Sequence, residues 1–446
     1  MTDRSALQFE APGFTVDECA DGLCAYVDAS PSPFHAVATS ARMLDEAGFH
    51  RLEEAEEWAA ERGRFYTVRG GSLVAWSTEH AAGPESPMRV VGAHTDSPNL
   101  RIKPRPDLAR AGWQLLGVEV YGGALINTWL DRDLGLSGRV TLRDGDRLAT
   151  RLVRIDDPLL RVSHLAIHLD RSIHDDGVKL NPQQHLAPHW GLGDEPGDFV
   201  GYIADQVAAR PEDILGWDLM THDLNPARRV GRDRDLVAAP RLDNLATSFA
   251  GTRALIAAVD VPPVQPTTQV IVLFDHEEVG STSERGAGSQ YFPAMVERIT
   301  AQLGGDRQDM LRSLASTVIA SGDMAHATHP NYAERHEPQH TIAMNGGPVL
   351  KVNNKLRYAT DSVGAASFRA AGQQAGVPVQ SFVVRSDLPC GSTVGPMTAA
   401  STGAITVDFG APTLSMHSIR ELAGSTDQAM YAACLAAFLS PEVTVG

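Results

Sequence analysis

The stretch MRVVGAHTDSP, residues 88–98, decides how this chain is read. MRVVGA is a β-type apolar run that reads as a buried strand, and His94 and Asp96 follow it directly. Two other stretches repeat the pattern. QVIVLF at 269–274 runs into Asp275, His276, Glu277 and Glu278, and STVIAS at 316–321 leads to Asp323. In open α/β sheets, ligands bind outside the carboxyl ends of the strands. Polar residues far apart in sequence should therefore meet along one sheet edge. Asp243 in PRLDNLA (240–246) and His417 in LSMHSIRE (414–421) complete the set. Imidazole nitrogen with carboxylate oxygen, and no thiolate, suits zinc or a similar divalent ion.

The rest of the composition narrows the class. The chain has 446 residues, enough for a large core and more than one domain. Acidic residues outnumber basic ones, 55 to 38, for a formal charge of −17. That argues against a general nucleic-acid binder, which presents a basic face. The basic stretch RRVGRDRD at 228–235 is nearly neutralised by its own aspartates. Cys19, Cys24, Cys390 and Cys434 form no CxxC pair and suggest no disulfide framework. The opening MTDRSALQFEAPGF lacks a basic segment followed by an apolar one. No run reaches the ~18 apolar residues of a spanning helix. The expectation is a cytoplasmic enzyme with no membrane and no nucleic-acid partner.

Working outward, residues 16–28 and 34–48 read as helices, and 64–78 as a hairpin around Gly70 and Gly71. From about 101 the character changes. WQLLGVEVYGG, LSGRVTLRDGDRLATRLVRID and SHLAIHLDR are alternating or β-branched runs divided by Gly and Asp turns, with an Asp-Gly hairpin signal in LRDGDR. Residues 179–198 read as a long, turn-rich loop. From about 240 the α/β pattern resumes, with a helix from Asp243 to about Val259, strands in VQSFVVRSD and TGAITVDFG, and a closing helix in STDQAMYAACLAAFLS. The expected fold class is α/β: a mixed central sheet with flanking helices, plus an inserted β-rich domain. Residues 1–100 and 237–446 would form the discontinuous catalytic domain and 101–236 the insert.

Each cluster has a plainer reading beside the chemical one. His94 offers a ligand at a strand end, and Asp96 can hydrogen-bond the other imidazole nitrogen and fix the tautomer; the pair could equally form a capped turn. Of Glu277 and Glu278, one can ligate while the other faces substrate as a general base, or both can favour a helix start. Asp243 can bridge two cations or cap a helix. Asp323 is the ligand candidate of its segment, whereas His326 and His329 could ligate, bind substrate or satisfy the loop. A lone histidine such as His417 is most often structural. As an ordered set, however, these residues fit a dinuclear hydrolase, in which two metals ~3.5–4 Å apart polarise a carbonyl and activate water.

Taken together, the motifs resemble the aspartyl aminopeptidases, the M18 family of zinc metallopeptidases. The resemblance runs through SPSPFHAV (30–37), GAHTDSPNLRIKP (92–104), YGGALINTWLDRDLGLSGRV (121–140), HLAIHLDR (164–171) and RLDNLA (241–246). It continues in EEVGSTSERGAGS (277–289), DMAHATHPNY (323–332), GGPVLKVNNKLRYATD (346–361), SDLPCGSTVGP (386–396) and MHSIRE (416–421). It implies a zinc-aminopeptidase-like fold. His94, Asp243 and Asp323 would hold one metal, and Asp243, Glu278 and His417 a second. Glu277 would be the general base, with Asp96 orienting His94. The metals would be two Zn2+ per subunit, with Co2+ or Mn2+ as alternatives. The resemblance further implies release of N-terminal Asp and Glu from peptides. An acidic side chain needs a cation or strong donors; Lys355 is the candidate, with Tyr358 and His326 beside it and Lys351 competing. A homo-oligomer, a dodecamer of dimers formed through the insert, is implied as well, with His168 reaching into a neighbouring subunit's site.

Overall fold

A computed structural model describes residues 9–444. Its centre is a nine-stranded mixed sheet. The strands lie in the order Gln380–Val383, Val349–Val352, Ile405–Gly410, Val318–Gly322, Met88–His94, Thr268–Phe274, Ser72–Ser77, Arg64–Arg69 and His50–Arg51. Four strands in the middle, from Ile405–Gly410 to Thr268–Phe274, run parallel. Parallel strands are covered on both faces, which is why they read as continuous apolar runs. Side chains alternate between two cores. Val91, Ala93, Ile271, Leu273 and Ala320 enter one, with helices Leu242–Ala258 and Ser425–Leu439. Val90, Val270, Val272 and Ile319 enter the other, with helix Tyr291–Gln302.

The local rules are obeyed at the start of the chain. Helix Val16–Ala29 is capped by the Thr15 side chain, and helix Pro33–Glu46 by Ser32, with proline at its first turn. The hairpin pairs Arg64–Arg69 with Ser72–Ser77 across Gly70 and Gly71.

A second, six-stranded sheet is drawn from Asn99 to Asp223 and has its own core around Leu136, Val140, Phe199 and Leu219. The Asp-Gly signal is a hairpin in which Asp144 pairs with Arg147. Two sequence readings are corrected here. Residues 179–198 are not wholly loop: His189–Leu192 forms an edge strand on Trp113–Tyr121. Residues 163–170 form no strand, although their apolar residues alternate. Leu165, Ile167 and Leu169 have no neighbouring strand to pair with and are exposed. A five-stranded sheet joins Arg228–Val230, Leu236–Ala239, Glu421–Gly424, Pro412–Leu414 and Ala325–His326. Among the described residues, no helix is long and apolar enough to cross a membrane.

Candidate metal centre

Register brings the strand-end residues together. His94 pairs with Phe274 at the end of adjacent parallel strands, and Ser321 pairs with Gly92 on the other side. The segments that follow, with Asp96, Glu277, Glu278 and Asp323, therefore leave the sheet at one edge. Asp243 arrives from below this edge, at the head of helix Leu242–Ala258. Asp243 and Asn244 lack helical backbone angles, so Asp243 is not in a first helical turn as the sequence suggested. Its N–H donates to Glu421 at 2.9 Å instead.

Two histidines face one carboxylate. His94 Nε2 lies 3.3 Å from Asp243 Oδ1 and 3.8 Å from Asp323 Oδ1. His417 Nε2 lies 3.4 Å from Asp243 Oδ2 and 3.3 Å from Glu278 Oε2. The opposite ring nitrogens point at carbonyl oxygens: His94 Nδ1 at that of Asp96 and His417 Nδ1 at that of Gly123, both 3.0 Å away. A carbonyl only accepts, so each Nδ1 donates to it, which leaves each Nε2 aimed at the carboxylates as the atom that would ligate a metal in place of a proton. The two ligand groups, His94–Asp243–Asp323 and Asp243–Glu278–His417, each offer atoms within 4.8 Å of one another. Glu277 falls in a third such group with His94 and Glu278.

Asp96 does more than face His94. Its carboxylate is 3.5 Å from His94 Nδ1. It also accepts the N–H of Glu277 at 3.0 Å, the N–H of Glu278 at 3.1 Å and the Tyr121 hydroxyl at 2.7 Å. Glu421 is a second buried clamp, which accepts the N–H of His417 at 2.9 Å as well as that of Asp243. Neither Tyr121 nor Glu421 was singled out from sequence. A glutamate two residues beyond an Ile in MHSIRE looks like any strand start, and Tyr121 ends a strand 25 positions from its partner.

The electrostatics call for cations. Burial pushes Glu277 up to about 8 against the pull of His94, with Asp323, Asp96 and Asp243 adding to the rise. Burial and Asp243 raise Glu278 well above the ordinary range. Burial and Asp243 also bring Glu421 to about 8. Burial would lower His417, yet its contact with Asp243 raises it to about 9. Asp243 itself, although buried, is held low by the two histidines. Asp243 Oδ1 and Glu278 Oε1 are buried without a hydrogen-bond donor. Concentrated buried carboxylate with unpartnered oxygens is costly unless paired. Nitrogen and carboxylate donors of this kind fit divalent zinc.

Lys351 Nζ is buried, 3.6 Å from Asp323 Oδ2 and 5.4 Å from the Tyr358 ring centroid. Tyr358 is buried, and the His326 ring meets Phe382 edge-on at 5.8 Å. Lys355 is exposed in the loop beyond the Lys351 strand, and His168 is exposed on the segment 163–170. The structure thus gathers His94, Asp96, Asp243, Glu277, Glu278, Asp323 and His417, whereas Lys355 and His168 are exposed.

Comparison with known proteins agrees with this chemistry at the level of the family. The family model described as aminopeptidase I zinc metalloprotease (M18) matches residues 26–439. A probable M18 family aminopeptidase 2 of Mycobacterium bovis (strain BCG / Pasteur 1173P2) is 52% identical over 432 residues, covering 95% of this chain and 99% of its own. A cryo-EM structure of the Ape4 and Nbr1 complex is similar with a TM-score of 0.91 at 37% identity, over 97% of this chain and 87% of that one. The S. cerevisiae mApe1 dodecamer is similar with a TM-score of 0.82 at 28% identity, over 95% of this chain and 96% of that one. Fold and centre together define a metal-dependent peptide hydrolase. The chain belongs to the M18 family of metalloaminopeptidases.

Proposed function

We propose that the chain releases N-terminal Asp and Glu from peptides, using two divalent ions and Glu277 as general base. One observation carries the two-ion reading: the two oxygens of Asp243 face two different histidines, at 3.3 and 3.4 Å. His94, Asp243 and Asp323 would hold one ion, and Asp243, Glu278 and His417 the other. The ions, Zn2+ or alternatively Co2+ or Mn2+, supply Lewis acidity that polarises the scissile carbonyl and lowers the pKa of a water.

The chain's own groups do the rest. Glu277 lies next to both His94 and Glu278, one residue from each proposed ion's ligand set. As a carboxylate in that position it would take a proton from the attacking water and return it to the leaving amine. Asp96 fixes the backbone of Glu277 and Glu278 through their N–H groups. For the acidic side chain, position favours Lys351 over Lys355. Lys351 is buried beside Asp323, with Tyr358 next to it. His326, three residues after Asp323, is close enough to Lys351, Asp243 and Asp323 to feel their charges. A buried ammonium recognises a carboxylate far more strongly than an exposed one.

The mApe1 relative is a dodecamer. We extend this to a homo-oligomer here, in which His168, exposed in one subunit, reaches the site of another. Metal-dependent release of Asp from a peptide N-terminus, with Leu left in place, tests the proposed activity; release of Leu instead would refute the specificity.

A further inference from the structure

The six-stranded sheet meets the metal centre closely at one strand end. Strand Trp113–Tyr121 ends there, and the three residues Tyr121, Gly122 and Gly123 each meet a different segment of the centre. The Tyr121 hydroxyl donates to Asp96 Oδ2 at 2.7 Å. Gly122 has φ +70, and a Cβ on it would lie 3.0 Å from Glu278 Cβ and 3.5 Å from Glu278 Oε2. A Cβ on Gly123 would lie 3.0 Å from His417 Nδ1, the atom that donates to the Gly123 carbonyl. Only glycine permits this approach at Gly122 without strain.

The contact continues along the same segment. Leu125 N–H donates to the His417 carbonyl at 3.0 Å, and Ile419 N–H donates to Thr128 Oγ1 at 2.9 Å. Ile419 is buried in the core of the six-stranded sheet, not in that of the central sheet. The loop that carries His417 is thus fastened on both sides of the histidine to residues 123–128.

We propose that Tyr121, Gly122 and Gly123 are positioning residues of the metal centre, so that the six-stranded sheet sets how tightly the ion of the Asp243–Glu278–His417 group is held. This rests on the two-ion reading above. Partners of this kind fix ring orientation and ligand placement, and their loss costs about 10- to 100-fold in metal affinity or activity.

The test compares the full-length wild-type protein with Tyr121→Phe, Gly123→Ala and the control Gly216→Ala. Gly216 lies in the same sheet with nothing within 4 Å of an added Cβ. Zinc stoichiometry and Kd are measured by competition with a chelator, and the visible spectrum is recorded after loading with Co2+. Tyr121→Phe should weaken zinc binding by about 10-fold or more and shift the cobalt bands. Gly123→Ala should displace His417 and lower the zinc content below that of wild type. Gly216→Ala should leave both readings unchanged. Variants that bind zinc with wild-type stoichiometry and Kd and show the wild-type cobalt spectrum overturn the proposal alone. A wild-type protein that takes up fewer than two ions overturns the two-ion reading and the proposal with it. Should Gly123→Ala fail to fold, Tyr121→Phe, which removes a single oxygen, decides the matter.

Discussion

Lys351 Nζ lies 3.6 Å from Asp323 Oδ2, buried at the edge of the metal centre. Lys355, four residues on, faces solvent. Replacing Lys351 with Met should lower kcat/KM on an Asp peptide by about 10- to 100-fold, the worth of one hydrogen bond to a charged group. Lys355→Met should change it less than about twofold, as for an exposed charge. Metal content of both variants, measured alongside, separates substrate recognition from damage to Asp323. Equal losses at the two positions would contradict the assignment.

Glu277→Gln removes a proton acceptor and keeps the shape. Turnover should fall by about 10²- to 10⁴-fold, while both ions and substrate affinity remain. Elemental analysis and substrate binding check this. Lost metal would make Glu277 a ligand.

The metal-free protein should lose stability as pH rises. Glu277 and Glu421 are pushed up to about 8, chiefly by burial, and Glu278 is well above its ordinary range. His417 rises to about 9 through Asp243, against burial. In each case the folded chain binds the proton more tightly than the unfolded chain. The stability this gives is complete below the unfolded values and is lost as pH climbs through 8 to 9. Asp243 and Asp96 are lowered, so their contribution is lost only in acid. Divalent ions replace those protons. The gap in Tm between zinc-loaded and chelated protein should therefore widen from about pH 6.5 to about pH 8.5. A gap that narrows would contradict this account.

His168→Ala should reduce turnover in the isolated oligomer by about 10-fold, on the scale of one charge-assisted hydrogen bond, without loss of metal. Unchanged kinetics in an intact oligomer would remove the residue from the site.

Much of the centre was legible because its strands are buried on both faces. The apolar runs ending at Ala93, Phe274 and Ser321 mark the sheet edge, and register brings the following segments together. Asp243 sits at a helix head without helical backbone angles and His417 in a loop, so neither follows an apolar strand that would mark it, and the family resemblance decided between their alternative roles. Lys351 carries a local signal of its own: it stands inside the apolar run GPVLKV, where a lysine must be buried or paired. Lys355 drew attention through its motif, but the loop turns it outward. The alternation in SHLAIHLDR suggested a strand, yet backbone pairing needs a neighbour and residues 163–170 have none. Tyr121 and Glu421 act through contacts that close only when separate segments meet, so no spacing announces them.

The most direct test of the central claim is cleavage of matched Asp-X and Leu-X peptides, before and after chelation and again with zinc or cobalt restored. The account predicts release of Asp and not Leu, abolished by chelation and recovered with metal. Release of Leu in preference to Asp, or release of Asp that survives complete removal of metal, would contradict it.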